Sequence, residues 1–303
     1  MTKIPAYLKK GDTIGITCPA GFMTLERIAV CVKTLEQWGY KVKVGSTLFS
    51  TSENYFSGSD AERLADFQRM LDDDNINAIL CGRGGYGTGR IIEEIDFKKF
   101  RKKPKWIIGF SDITILHTHI FSNYNTATLH APMAAAFADA GVESKAIQSL
   151  KAALTGNPAK YSISSSVYNK PGEASGTLIG GNLALLAHVV GSSSDVNTKN
   201  KILFIEDTGE YLYNIDRMLY QLKRSGKLKY LAGLVVGGFT DMKDTQRPFG
   251  KNIYNIVSEI IQEYNYPVCF DFPVSHDKEN YALKTGVTWN LKISGKKTVL
   301  REI

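Results

Sequence analysis

The chain has 303 residues, of which 43% are hydrophobic and 22% charged, with a formal net charge of +7. That length buries a large core and commonly divides it, so two domains are expected. The charge balance is ordinary for a soluble protein, and its basic bias suits either a plain solvated surface or attraction of a carboxylate-bearing substrate. No apolar run approaches a membrane span, and the opening MTKIPAYLKKGDTIGI lacks the apolar core and cleavage site of a secretory signal, so the cytoplasm is the expected compartment. Cys18, Cys31, Cys81 and Cys269 lie far apart without a CxxC pair or metal-ligand spacing, which argues against disulfides. The basic stretch Lys98, Lys99, Arg101, Lys102, Lys103 and Lys105 has no interleaved aromatics and no recognised nucleic-acid module; it reads as a solvated face rather than a nucleic-acid or membrane surface.

In chain order, Asp12 to Cys18 is a strand candidate that ends in the turn Pro19-Ala20-Gly21. Leu25, Ile28, Val32, Leu35 and Trp38 then recur at helical spacing, with Gly39 where a C-terminal cap belongs. A strand follows at Lys41 to Val44. Ser59 and Glu62 form a capping box for a second helix with the stripe Leu64, Phe67, Met70 and Leu71. Ile76 to Cys81 and Trp106 to Phe110 are short buried strands that both end in unusual loops. This alternation predicts a parallel sheet covered by helices, with ligand sites outside the carboxyl ends of its strands. From about Leu154 to Gly176 the sequence turns rich in Ser, Gly, Pro and Asn. The expected division is therefore a domain over 1–160, a linker over 161–176 and a second domain over 177–303. The second half supplies a strand at Lys201 to Glu206, a helix with Ile215, Met218, Leu219 and Leu222 on one face, and a strand at Leu231 to Val236.

Three stretches carry chemistry. Gly82-Arg83-Gly84-Gly85-Tyr86-Gly87 follows a strand, and its four glycines let backbone N–H groups approach an anion; it lacks both the phosphate-loop lysine and the GxGxxG spacing. Gly109-Phe110-Ser111-Asp112 stands at the turn from a strand into a helix, where a serine hydroxyl points out of the sheet towards N–H groups and a positive dipole. Position 113 is Ile rather than the usual Gly, so Ser111 or Asp112 serves there either as a nucleophile or as a helix cap. A serine nucleophile needs a base and an orienting group. Of the histidines, His188 and one of His117 and His119 read as core residues, while the choice between His130 and His276 stays open. Glu206 and Asp207 end the apolar strand Ile202 to Ile205, where a carboxylate can hold an imidazole, cap a helix or pair with Arg217.

Taken together, GDTIGITCPAG, CGRGGYG, IIGFSDIT, LHAPM, GTLIGGN, FIEDTGEYLYNIDRML and FPVSHDKENYALKTG resemble, in order and over nearly the whole chain, the LD-carboxypeptidase family, which includes muramoyltetrapeptide carboxypeptidases and microcin-immunity hydrolases. The resemblance implies an N-terminal α/β domain with a parallel sheet, a smaller C-terminal α/β domain, a site between them and a homodimer. It implies a Ser-His-Glu triad at Ser111, Glu206 and His276, with Ser275 standing where glycine is more usual. Backbone N–H groups of Gly85 and Asp112 are the implied oxyanion hole; a carboxypeptidase must also bind the free carboxylate of its substrate, for which Arg83 and Gly84 of the glycine loop are candidates, Arg83 serving alternatively in a surface or interdomain salt bridge. The implied reaction hydrolyses the amide before the terminal D-alanine of murein tetrapeptides in cell-wall recycling, with no metal or organic cofactor. Two other readings are a microcin-like peptidyl-nucleotide amide hydrolase and a non-catalytic nucleotide- or sugar-phosphate-binding protein that uses the Gly82 to Gly87 loop.

Overall fold

The computed structural model describes residues 2–303. In its first half the short apolar runs become β1 (Thr13–Thr17), β2 (Lys41–Val44), β3 (Ile76–Cys81), β4 (Trp106–Gly109) and β5 (Thr128–His130). They pair in parallel in the order β5-β4-β3-β1-β2. β4 is buried throughout and β3 almost so, because helices cover both faces; such strands read as continuous apolar runs rather than alternating ones. The connections hold α1 (Ala29–Gln37), α2 (Asp60–Asp72), α3 (Thr88–Ile91), α4 (Lys98–Lys102), α5 (Thr114–Tyr124), α6 (Ala136–Asp139) and α7 (Lys145–Leu154). α2 starts on the expected capping box: Ser59 Oγ accepts from the Glu62 N–H, and the Glu62 carboxylate accepts from the Ser59 N–H at 2.8 Å. The basic stretch forms α4 and its flank, with Phe100 turned inward, but Lys105 is buried and donates to the Asp73 carbonyl at 2.7 Å.

The second half adds β6 (Lys160–Ser164), β7 (Gly172–Asn182), β8 (Lys201–Thr208), β9 (Gly233–Thr240), β10 (Val268–Cys269), β11 (Leu283–Thr285), β12 (Thr288–Ile293) and β13 (Lys297–Glu302), with helices α8 (Leu183–His188), α9 (Leu212–Arg224) and α10 (Ile253–Ile261). Seven of these strands form a mixed sheet in the order β10-β9-β8-β7-β12-β13-β6. It is parallel from β10 to β7 and antiparallel beyond. Alternation along β8 explains the layering. Leu203 and Ile205 face a core shared with α8, α9 and α10, whereas Ile202 and Phe204 face a core shared with Trp106, Ile108 and Leu129 of the first sheet.

The α/β class is as expected, but the linker is not. Residues 160–164 are β6 and β7 begins at Gly172, so most of 161–176 belongs to the second sheet. Half-buried Tyr161 and Ile163 alternate with exposed Lys160, Ser162 and Ser164, an edge-strand pattern whose Ser-rich outer face resembles a loop in composition. β11 also returns to the first sheet, antiparallel to β5, and ties the two halves together through Thr128 Oγ1 and Thr285 Oγ1 at 2.7 Å. All four cysteines are free and buried. Among the described residues no helix is long and apolar enough to cross a membrane, and no cluster of His, Cys, Asp or Glu is placed to hold a metal ion.

Candidate active site

The carboxyl edge of the first sheet is shaped by backbone. Phe110 is extended and Ser111 has φ 61°, a left-handed conformation rare for residues other than Gly and Asn, as the first residue of a 3-10 turn (Ser111–Ile113) that leads into α5. Such strain persists where the surroundings enforce it. The glycine loop presses on the same residue: a Cβ added to Gly84 would lie 2.8 Å from Ser111 Cβ and 3.0 Å from its Oγ. Gly85 and Gly87 hold φ of +103° and +144°, open only to glycine. Buried Asp112 accepts from the Thr88 N–H at 2.8 Å, and buried Arg63 donates to the Gly87 carbonyl at 3.0 Å and to the Pro19 carbonyl. Asp112 therefore ties the far end of the loop to the residue after Ser111, with its backbone N–H left at a helix start where no intrahelical acceptor exists. Burial raises the Asp112 carboxyl pKa against the opposing pull of its hydrogen bonds with Thr88.

The carboxyl edge of the second sheet contributes side chains. Glu206, fully buried near the end of β8, accepts from His276 Nδ1 at 2.6 Å. Burial lowers the His276 pKa, but the hydrogen bond and charge of Glu206, with Asp207 behind it, outweigh that and leave the imidazole above its ordinary value. Its ring meets that of Phe110 edge-on at 4.9 Å, one residue before Ser111. The two edges are joined directly. Asn182, the β7 register partner of Glu206, has its N–H on Thr114 Oγ1 at 3.0 Å, three residues past Ser111, and Gly181 leaves no room there for a side chain.

The two histidines left open by the sequence have different partners. His130 is buried, its pKa is pushed well down by burial, and its Nε2 faces Asn280 Oδ1 at 3.3 Å rather than a carboxylate. His117 is buried against the Gly109 carbonyl, and His119 against Ser194. Asp207 takes the capping role: its carboxylate accepts from Asn182 Nδ2 at 2.8 Å and from the Ala184 N–H at 3.0 Å, holding the start of α8, while burial raises its pKa to about 6. Ser275, in the place where glycine is more usual, stitches the His276 turn by accepting from the Asp277 N–H and donating to the Glu279 carbonyl, both at 3.0 Å. Gly238, whose added Cβ would sit 2.5 Å from Ser275 Cβ, makes the room.

A cavity of about 220 Å3 lies beside His276, with Arg83, Phe110, Met133 and Asn280 among its walls. Arg83 is exposed, and its Nη1 donates to the Phe22 carbonyl at 3.1 Å. A larger cavity, about 710 Å3, opens past the end of β9 towards α10 without His276 in its walls, and Ser111 and Glu206 line neither cavity. Asn182 and Asn280 were not singled out in the sequence, since their partners lie far along the chain.

The LD-carboxypeptidase N-terminal domain matches residues 14–131, and the LD-carboxypeptidase C-terminal domain matches residues 175–291. The chain is 37% identical over 303 residues to the probable murein peptide carboxypeptidase of Bacillus subtilis (strain 168), covering 98% of this chain and 93% of that one. Among solved structures it is similar to muramoyltetrapeptide carboxypeptidase from Oxalobacter formigenes (TM-score 0.87, 26% identity, 96% of this chain and 98% of that one). It also shares its fold with the microcin C7 self immunity protein MccF (TM-score 0.87, 23% identity, 99% and 98% covered). With both domains matched and the relationship running through nearly the whole length, the chain belongs to the LD-carboxypeptidase family and is a peptidase of the serine hydrolase type.

Proposed function

We propose that the protein hydrolyses the amide before the terminal D-alanine of murein tetrapeptides, with Ser111 as nucleophile, His276 as base and Glu206 as its orienting partner. The observation that carries this reading is the 2.6 Å bond from His276 Nδ1 to a fully buried carboxylate. It commits Nδ1 as the donor, leaves Nε2 as the basic nitrogen, and holds the ring against Phe110 beside Ser111. Nε2 takes the hydroxyl proton as Ser111 Oγ attacks the carbonyl carbon. It then returns that proton to the leaving nitrogen of D-alanine as the C–N bond breaks, giving the acyl-enzyme. Water repeats the sequence with His276 as base and frees the tripeptide. Throughout, Glu206 stabilises the imidazolium without taking its proton.

The oxyanion of each tetrahedral intermediate is assigned to the N–H groups of Gly85 and Asp112, a donor of this kind being worth about 3 kcal/mol. The positive φ of Gly85 and the helix start at Asp112 suit the role. Arg83, at the cavity wall next to Gly84, is assigned to the substrate carboxylate, which a guanidinium binds through two N–H groups. The protein is further proposed to act in the cytoplasm as a homodimer, a state that sedimentation would check.

Ser111→Ala is the test. Release of D-alanine from disaccharide tetrapeptide should fall by about 10⁴-fold to 10⁶-fold while the fold is kept. Turnover at the wild-type rate would remove Ser111 from the mechanism. Hydrolysis of a peptidyl-nucleotide amide in place of the tetrapeptide would favour the microcin-type reading, and micromolar nucleotide binding without hydrolysis would favour a binding protein.

A further inference from the structure

The cavity beside His276 is small and chemically divided. One wall is built from Ala135, Ala136, Ala140 and Ala146, all short side chains around α6 and the start of α7. Another carries Arg83 and Asn280. Its volume of about 220 Å3 is well beyond the roughly 10–15 Å3 that a single water needs, so it has room for a small residue.

Asn280 is the unexplained group. It is only 3% exposed, its Oδ1 accepts from His130 Nε2, and its Nδ2 has no acceptor among the described residues. An amide nitrogen buried without a partner is costly, and such groups call for an explanation such as a ligand that completes them. A buried imidazole stands behind the amide, with His130 Nε2 3.3 Å from Asn280 Oδ1. His130 is fully buried between Phe204, at 4.9 Å, and Phe110, at 5.9 Å, and burial in that surrounding keeps the ring neutral. A neutral ring whose Nε2–H donates to Oδ1 turns the Asn280 donor away from itself. Of the two carboxylates at the cavity rim, Asp139 is paired with Arg27 at 2.9 Å, and the charge of Asp277, whose Oδ1 accepts from the Lys278 N–H at 2.7 Å, is set against those of Arg83 and Lys278.

We propose that this cavity receives the leaving residue by its free carboxylate, and that Asn280 is a specificity-determining donor sharing that carboxylate with Arg83, with His130 as its positioning residue. The inference rests on the serine-peptidase reading of Ser111, and its test separates the two.

Two tetrapeptides are compared as substrates: one ending in D-alanine and one in D-alanine carboxamide. Labelling of Ser111 by a fluorophosphonate, which needs the nucleophile but no terminal carboxylate, runs alongside. Wild type should prefer the free acid over the carboxamide. Asn280→Ala should lower kcat/KM for the free acid by about 10-fold to 100-fold, the range for a hydrogen bond to a charged group, so that the acid-over-carboxamide preference collapses. The phosphonate should label Ser111 at the wild-type rate. Asn280→Asp keeps the shape and sets like charges opposite each other, so it should cost the free acid more than Ala does. It also covers the case in which the Ala variant fails to fold. His130→Phe should reduce the acid-over-carboxamide preference in the same direction, an effect that a purely packing role would not produce. An unchanged preference in both Asn280 variants overturns the subsite while Ser111 labelling leaves the nucleophile in place. Absence of labelling in wild type overturns the underlying reading and the subsite with it.

Discussion

Ser111 follows a strand of the first sheet and Glu206 lies near the end of a strand of the second, and what surrounds them differs in kind. Around Ser111 the structure works through backbone: a positive φ, glycines that leave no space for a Cβ, and N–H groups at a helix start. Around Glu206 it works through side chains, with one carboxylate holding His276 and its neighbour Asp207 holding the start of α8. The difference teaches that the two edges should fail differently, the first by added bulk and the second by changed charge or pH. It also explains why adjacent acids with the same flanking sequence have separate tasks. Side chains alternate across a strand, so Glu206 and Asp207 point to opposite faces of β8.

Glu206→Gln attacks the second edge most directly. Losing the charge that steadies His276 should lower kcat by about 10⁴-fold, the loss seen when a triad carboxylate becomes an amide, with circular dichroism unchanged. Gly84→Ala attacks the first edge without touching a titratable group. Its Cβ would meet Ser111 at 2.8 Å, so the loop has to shift, and displaced oxyanion donors should cost about 10²-fold to 10³-fold in kcat at little change in KM. If Gly84→Ala is neutral, the loop is not shaping the site.

The pH dependence sharpens the comparison further. His276 must be neutral to act as base, and its pKa is held above the ordinary 6.5, so kcat/KM should rise with pH through a midpoint above 6.5. In Glu206→Gln burial is no longer outweighed by the Glu206 charge, and the residual activity should show a lower midpoint. Gly84→Ala should leave the midpoint where it is. The smallest effect is expected at Asp207→Ala, which removes acceptors from two N–H donors of the α8 start; it should cost stability by about 1–3 kcal/mol, read as a lower denaturation midpoint, with catalysis changed only few-fold.

Local features were legible in the sequence and distant pairings were not. The Ser59–Glu62 capping box, β3 and the turn at Ser111 depend on neighbours a few residues apart. Periodicity could not select His276 over His130, because the carboxylate that distinguishes them is 70 residues away, and only the ordered family motifs pointed to it. β6 was hidden by its Ser-rich exposed face, and β11 by its partner β5, reached across 157 residues at Thr128 and Thr285. Asn280 went unnoticed for the same reason, since its His130 partner is 150 residues off.

The central claim is that a nucleophile from one sheet is activated by a pair from the other. Its most direct measurement is the rate at which a fluorophosphonate labels Ser111, followed by mass spectrometry of the modified peptide, in wild type and in His276→Ala. The account predicts a single label on Ser111 in wild type and a rate lower by about 10²-fold or more in the variant, the contribution of a positioned base. Labelling of Ser111 at an equal rate in both, or labelling of a different serine, would contradict it.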